Sequence, residues 1–154
     1  MAWWLMKSEP DVYGIEDLER EGENMWEGCR NYTVRNFFRD SFKVGDLAIF
    51  YHSNATPSGA AGVMEIVRTG YPDPTQFDPT SEYYDPKAKP DEPRWLVVDV
   101  KFVSKFPRIV PLAEIKSDPV LSKMQVCMRG QRLSVMPVEQ DEFARLLELA
   151  QQNP

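Results

Sequence analysis

Residues 47–67, LAIFYHSNATPSGAAGVMEIV, hold two apolar segments on either side of a short polar loop. The segments at 47–51 and 61–67 contain β-branched and aromatic side chains, which favour strands, and the loop contains Ser, Asn, Pro and Gly, which favour turns. Two strands joined by so short a connection pair most readily as antiparallel neighbours. This stretch therefore predicts an antiparallel pair of strands.

Further strands and helices are predicted on both sides of that pair. Strands are predicted at residues 2–6, at 95–106, where apolar and polar side chains alternate, and at 133–136. Helices are predicted at 15–21, 32–42 and 139–150, with short helical turns within 111–124. Strands interleaved with short helices in a chain of this size favour an α+β fold, a mixed sheet or open barrel surrounded by helices.

Residues 72–93 differ in composition from the rest of the chain. They contain six prolines together with Tyr83 and Tyr84. So many prolines exclude regular structure, and the aromatic side chains argue against a flexible linker. We expect an ordered loop that is held against the domain.

The length of 154 residues matches one domain, so we expect residues 1–154 to share a single hydrophobic core. With 42% hydrophobic and 12% aromatic residues, that core needs neither a metal nor disulfides. The apolar runs are too short to cross a bilayer, and the first residues lack the basic segment and cleavage site of a signal peptide. We therefore expect a soluble, cytoplasmic protein with no membrane partner.

The charge of the chain limits how it can bind nucleic acid. Its net charge of −6 argues against a protein that coats duplex nucleic acid, because such binding depends on neutralising many phosphates. A small basic pocket is compatible with this charge.

Few residues suit metal binding or nucleophilic catalysis. His52 is the only histidine, and Cys29 and Cys127 lie far apart, so we predict neither a metal nor a cofactor. His52 and the adjacent Ser53 project to opposite faces of a continuing strand and make a poor catalytic pair. A Cys29–His52 thiol pair remains as an enzymatic alternative.

The segment at residues 26–36, WEGCRNYTVRN, gathers the groups needed to hold one nucleotide. Trp26 offers a flat apolar face, Asn31 a paired donor and acceptor, and Arg30 and Arg35 positive charge for phosphate near the start of a helix. The same residues would also be found if Trp26 were a core residue, Asn31 a helix cap and the arginines ordinary surface residues. This segment alone therefore leaves both the nucleotide-binding and the structural interpretation open. Polar residues also gather at predicted strand ends, at 7–9, 51–53 and 132–134.

Several motifs occur in one order along almost the whole chain, from Trp3 to about Leu147. They are WLxKSEP at 4–10, WxGxRNY at 26–32, RNF at 35–37, FYHS at 50–53, YPDPT at 71–75, FDP at 77–79, YDP at 84–86, PRW at 93–95 and RLSV at 132–135. This series resembles the EVE domain family. The resemblance is specific because it depends on the whole series rather than on any one motif.

The resemblance implies a PUA-like fold, a bent and partly closed β-barrel of mixed, mostly antiparallel strands with short helices around it. It also implies a non-catalytic module that captures a single modified base, a modified cytosine or adenine in DNA or RNA. Carried over motif by motif, and with Arg35 added for phosphate, the predicted nucleotide-binding residues are Lys7, Ser8, Glu9, Trp26, Arg30, Asn31, Tyr32, Arg35, Tyr51, His52, Ser53, Arg132, Leu133 and Ser134.

Within this set we expect Asn31 and Ser53 to choose the base and an apolar gap to choose the modification. Cys29, Gln131 and the pair at 60–61 depart from the family pattern, and the first two border pocket motifs, which suggests a different base preference. Two other functions stay open: a small-molecule or anion sensor that uses the same pocket, and a thiol-dependent enzyme acting on a nucleobase. The oligomeric state is not predicted.

Overall fold

A computed structural model describes residues 2–27, 29–130 and 133–152. Its strands are β1 (Trp3–Ser8), β2 (Glu23–Met25), β3 (Leu47–His52), β4 (Gly59–Pro72), β5 (Leu96–Pro111) and β6 (Val135–Val138). Its α-helices are α1 (Ile15–Glu21), α2 (Tyr32–Asn36), α3 (Leu112–Ser117) and α4 (Gln140–Ala150). A π-helical turn (Phe37–Ser41) and two 3-10 turns (Pro74–Phe77 and Gln125–Cys127) complete the regular structure of the described residues.

The strands of the described residues form one open six-stranded sheet in the order β2-β5-β4-β3-β1-β6. The pair β1 and β3 is parallel and the other neighbouring pairs are antiparallel. The hairpin predicted from residues 47–67 is present, with Leu47 opposite Glu65 and a register shift after Phe50. The structure thus confirms a mixed, open sheet with short helices around it.

Several predicted boundaries were wrong. The predicted helix at 32–42 is α-helical only to Asn36 and continues as a wider π-helical turn to Ser41. The strand predicted at 95–106 extends to Pro111, and the last strand begins at Val135 rather than 133. The short strand β2, which pairs with β5, was not predicted.

The buried side chains form two clusters, one on each face of the sheet. Successive side chains of a strand point to opposite faces, so Leu5 and Ile49 belong to the cluster that packs against α4. Trp4 and Phe50 belong to the other cluster, which packs against α1, α2 and the π-helical turn. In the part of the chain that the structure describes, no helix combines the length and the apolar character needed to cross a bilayer.

The proline-rich segment is held against the domain, as predicted, and the structure shows that buried polar groups hold it. The Gln76 side chain is fully buried, and its amide pairs with backbone groups as a neighbouring strand would. Its Nε2 donates to the carbonyl oxygens of Asp73 and Trp95, both at 2.8 Å, and its Oε1 accepts from the backbone N–H groups of Arg94 at 3.0 Å and Trp95 at 2.9 Å. Because the amide is fully paired, it fixes this segment at the start of β5.

Candidate functional site

A cavity of about 680 Å³ opens where the end of β1 meets the connection from β2 to α2. This volume lies within the range of small-ligand pockets. The residues that line it are Lys7, Ser8, Glu9, Val12, Tyr13, Asn24, Met25, Trp26, Glu27, Cys29, Arg30, Asn31, Tyr83 and Ser134. They come from four separated stretches of the chain, which the sheet brings together.

Half of the predicted site residues line this cavity. The predicted residues that line it are Lys7, Ser8, Glu9, Trp26, Arg30, Asn31 and Ser134. The predicted residues that do not line it are Tyr32, Arg35, Tyr51, His52, Ser53 and Leu133. Arg132 lies outside the described residues.

The predicted motif at 51–53 does not reach the cavity. Tyr51 is buried in the cluster beneath α4, on the other face of the sheet from Trp26. The Nε2 of His52 accepts a hydrogen bond from the backbone N–H of Ile15 at 3.1 Å, and burial lowers the pKa of this imidazole. The backbone N–H of Ser53 donates to the carbonyl of Ser8 at 3.0 Å, so this motif stabilises the end of β1 that lines the cavity but does not line the cavity itself. The expectation that Ser53 chooses the base therefore loses its support.

Three aromatic side chains line the cavity. Trp26 is only 7% exposed and packs edge-on against Phe50, with ring centroids 5.4 Å apart. Tyr13 and Tyr83 are partly exposed and were not predicted as site residues. Both lie in irregular segments without periodicity, so nothing in the sequence placed them beside Trp26. Together they give the cavity the flat apolar surface that a heterocycle needs for stacking.

Asn31 caps the helix α2 through its side-chain oxygen and leaves its amide nitrogen available for binding. Its Oδ1 accepts from the backbone N–H of Val34 at 3.2 Å and so caps the start of α2. Among the described residues its amide nitrogen has no hydrogen-bond partner. Asn31 is exposed and lines the cavity, so the two N–H donors of its amide are available to a ligand.

Arg30 binds the proline-rich segment and is therefore not available to bind phosphate. Its guanidinium donates to the carboxylate of the fully buried Asp73 at 3.0 Å, to the hydroxyl of Thr75 at 3.1 Å and to the carbonyl of Tyr83 at 2.8 Å. It also lies 5.5 Å from the ring centroids of Tyr83 and Trp95. Since Asp73 already neutralises its charge, the predicted phosphate contact has to come from other cations.

Arg35 is the better candidate for phosphate. Its guanidinium donates to the side chain of Asn36 and lies 4.7 Å from the ring centroid of Tyr32. No carboxylate pairs with Arg35 among the residues that the structure describes. Tyr32 is 51% exposed and its centroid lies 4.9 Å from that of Trp95. Tyr32 directly follows Asn31, which lines the cavity, so the partly buried Arg35 packs on a ring that neighbours a cavity residue in the chain.

Cys29 lines the cavity but lacks the features of an activated nucleophile. Its sulfur lies 4.0 Å from the hydroxyl of Ser134, and burial raises the pKa of the thiol to about 11. His52 does not line the cavity, and its Nε2 is occupied by the backbone of Ile15. In the ranges 2–27, 29–130 and 133–152, no group of three His, Cys, Asp or Glu side chains is placed to hold a metal ion.

We expect Cys29 of the native protein to react slowly with iodoacetamide. A thiol whose pKa is raised to about 11 holds little thiolate near neutral pH, and the thiolate is the reactive form. At about pH 8, labelling of Cys29 in the native protein should be at least about tenfold slower than in the denatured protein. Peptide mass spectrometry measures both rates, and labelling of Cys29 faster than that of Cys127, which is also partly buried, would revive the thiol-enzyme alternative.

Comparisons with known proteins agree with this architecture. The family model of the EVE domain matches residues 2–149. Thymocyte nuclear protein 1 of Homo sapiens is 43% identical over 98% of this chain and 75% of its own length. A crystal structure of a Pseudomonas putida protein is 47% identical with a TM-score of 0.93, covering 97% of this chain and 99% of that one.

One solved structure of a relative contains DNA. It is the crystal structure of human THYN1 protein in complex with 5-methylcytosine containing DNA. Its chain is 43% identical to this one with a TM-score of 0.92, and the match covers 100% of both chains.

Proposed function

Because the chain belongs to the EVE domain family, we propose that it is a DNA-binding module that captures a single modified cytosine in the cavity beside Trp26. The observation that carries this proposal is a cavity of about 680 Å³ lined by aromatic and amide side chains. The human relative that forms a complex with 5-methylcytosine containing DNA supports the choice of ligand, since it matches this chain over its full length.

The aromatic surface accounts for capture of a base. A base extruded from its strand stacks on a ring of the cavity with a gain of about 1–3 kcal/mol, which offsets the few kcal/mol spent on unstacking it. Trp26 offers only a small exposed part, so Tyr13 and Tyr83 share in this contact. A modified or single-stranded base enters most readily because it is already less well stacked.

Polar groups have to account for most of the selectivity. One added methyl group gains only about 0.8 kcal/mol, or roughly fourfold in affinity. A wrong base is rejected more strongly when it leaves a buried polar group unpaired. The free N–H groups of Asn31 suit the acceptor atoms of a pyrimidine ring, so Asn31 remains the residue that we expect to choose the base.

Few phosphates need to be bound for this mode of recognition. Two cations are assigned to the strand that carries the base: Lys7, which lines the cavity and has its ammonium 6.0 Å from the ring centroid of Tyr51, and Arg35, which packs on Tyr32. Two phosphate contacts on a single strand give a salt slope of only about −1.4. This weak dependence is compatible with a net charge of −6.

We propose binding without a catalytic step. The Cys29 thiol stays protonated near neutral pH, and His52 does not reach the cavity, so neither supplies an activated nucleophile.

The proposal predicts preferential binding of oligonucleotides with one 5-methylcytosine. Fluorescence anisotropy with matched strands containing cytosine, 5-methylcytosine, its oxidised forms or N6-methyladenine measures the preference, and RNA versions separate the two nucleic acids. We expect modified cytosine in DNA to bind best, and Asn31→Ala to weaken that binding by about tenfold. Equal affinity for every strand would contradict the proposal, and equal affinity for the free nucleoside would favour a small-molecule sensor.

A further inference from the structure

Glu27 is a carboxylate in the wall of the cavity, immediately after Trp26. Partial burial raises the pKa of this carboxyl; the charge of Asp73 raises it further, and that of Arg30 opposes the shift. Among the described residues Glu27 makes no hydrogen bond or ion pair, even though Arg30 is close enough to influence it. A negative charge here is unfavourable for a site that receives a polyanion unless the ligand supplies a donor.

Each of the other amide and carboxylate side chains in the lining that the structure describes already has an oxygen engaged in a hydrogen bond. The Oδ1 of Asn24 accepts from a backbone N–H at 2.8 Å, and the Oδ1 of Asn31 accepts from another at 3.2 Å. The Oε1 of Glu9 accepts from the side-chain amide of Asn54 at 2.5 Å. Within the lining that the structure describes, the carboxylate with both oxygens available is therefore that of Glu27.

A 5-methylcytosine reader has one competitor that stacking and apolar contacts cannot reject. Thymine has the same ring and the same methyl group, and it differs on its pairing edge, where cytosine has an amino donor at position 4 and thymine has a carbonyl acceptor. An acceptor in the protein that faces position 4 distinguishes the two bases, as does a donor that faces the ring nitrogen at position 3, which is an acceptor in cytosine and a donor in thymine.

Building on the proposed function, we propose that the Glu27 carboxylate selects cytosine over thymine by accepting a hydrogen bond from the exocyclic amino group. Glu and Asp are the side chains that accept from this amino group in DNA recognition. When thymine occupies the cavity, its carbonyl oxygen faces the carboxylate, so two acceptors meet without a proton between them. The N–H groups of Asn31 then complete the contact by donating to a ring acceptor.

The test compares two oligonucleotides that differ only in 5-methylcytosine or thymine at one position, with wild type and Glu27→Gln. Wild type is expected to favour the 5-methylcytosine strand by about tenfold or more. Glutamine keeps the shape of the side chain, but its amide can turn to donate to thymine. In Glu27→Gln the ratio of the affinities for the 5-methylcytosine and thymine strands should therefore fall to within about threefold, through weaker binding of 5-methylcytosine and stronger binding of thymine.

Glu23→Gln is the matched control, since Glu23 is an exposed carboxylate four residues before Glu27, on β2, and does not line the cavity. It should leave the ratio unchanged, and circular dichroism should show that both variants fold. If wild type binds neither strand, the proposed function fails and this inference fails with it. If wild type prefers 5-methylcytosine and Glu27→Gln keeps the full preference, only the role of Glu27 is overturned.

Discussion

Replacing Asp73 by asparagine is expected to lower the free energy of unfolding by about 3–5 kcal/mol, the usual cost of breaking a buried ion pair from one side. Asp73 has no exposed surface, and its carboxylate accepts from Arg30 at 3.0 Å and from the backbone N–H and hydroxyl of Thr75 at 2.8 and 2.6 Å. The asparagine keeps the shape but removes the charge, so the guanidinium of Arg30, 22% exposed, loses its counter-charge.

Denaturant unfolding followed by tryptophan fluorescence measures this loss. Asp78→Asn is the matched control, because Asp78 also accepts from a backbone N–H two residues later, at 2.9 Å, but is exposed and has no arginine partner in the described structure. Its effect should stay at or below about 1 kcal/mol. If both variants lost the same small amount, the Arg30–Asp73 pair would not be what holds the proline-rich segment in place.

The sequence predicted best where composition or periodicity is clear over several residues. The hairpin of β3 and β4 follows from two apolar segments around a loop of turn-forming residues, and the helices α1 and α4 follow from helical apolar patterns. The strand β2 has three residues, too few for any pattern to emerge. The end of α2 at Asn36 was missed because a π-helical turn keeps its side chains close to the helical stripe while widening the backbone.

The cavity brings together part of the residues that the sequence predicts for the site. Residues 7–9, Trp26, Arg30, Asn31 and Ser134, which family motifs mark, line it. Tyr51 does not, because consecutive strand residues point to opposite faces and its side chain lies in the cluster that packs against α4. Tyr13 and Tyr83 come from loops, and only the folded chain shows that they share a wall with Trp26.

Arg30 shows why residue type alone did not fix a role. An arginine near the start of a helix suits phosphate, and the sequence contained no sign that Asp73, forty-three positions away, would pair with it. The contact depends on how the proline-rich segment folds back, which is a tertiary property. The same segment contributes Tyr83 to the cavity, so the pair that stabilises the loop also positions part of the site.

Trp26→Leu is expected to weaken binding of a 5-methylcytosine oligonucleotide by between about 5-fold and 150-fold, the range that loss of base stacking produces. The indole is mostly in the core, where it packs on Phe50, so the change also costs stability through the cavity that it leaves. A loss of affinity alone would therefore not separate a binding role from a structural one.

Trp4→Leu provides that separation. Trp4 is 4% exposed, belongs to the same core cluster as Trp26, and donates from its indole nitrogen to Asp46 at 3.1 Å, but it does not line the cavity. Its replacement should destabilise the protein at least as much, since it removes a buried hydrogen bond as well as packing. Affinities measured well below both unfolding transitions should fall only for Trp26→Leu. An equal fall in both would mean that the core tryptophans act on the site only through the stability of the sheet, and the stacking contact would then have to belong to Tyr13 or Tyr83.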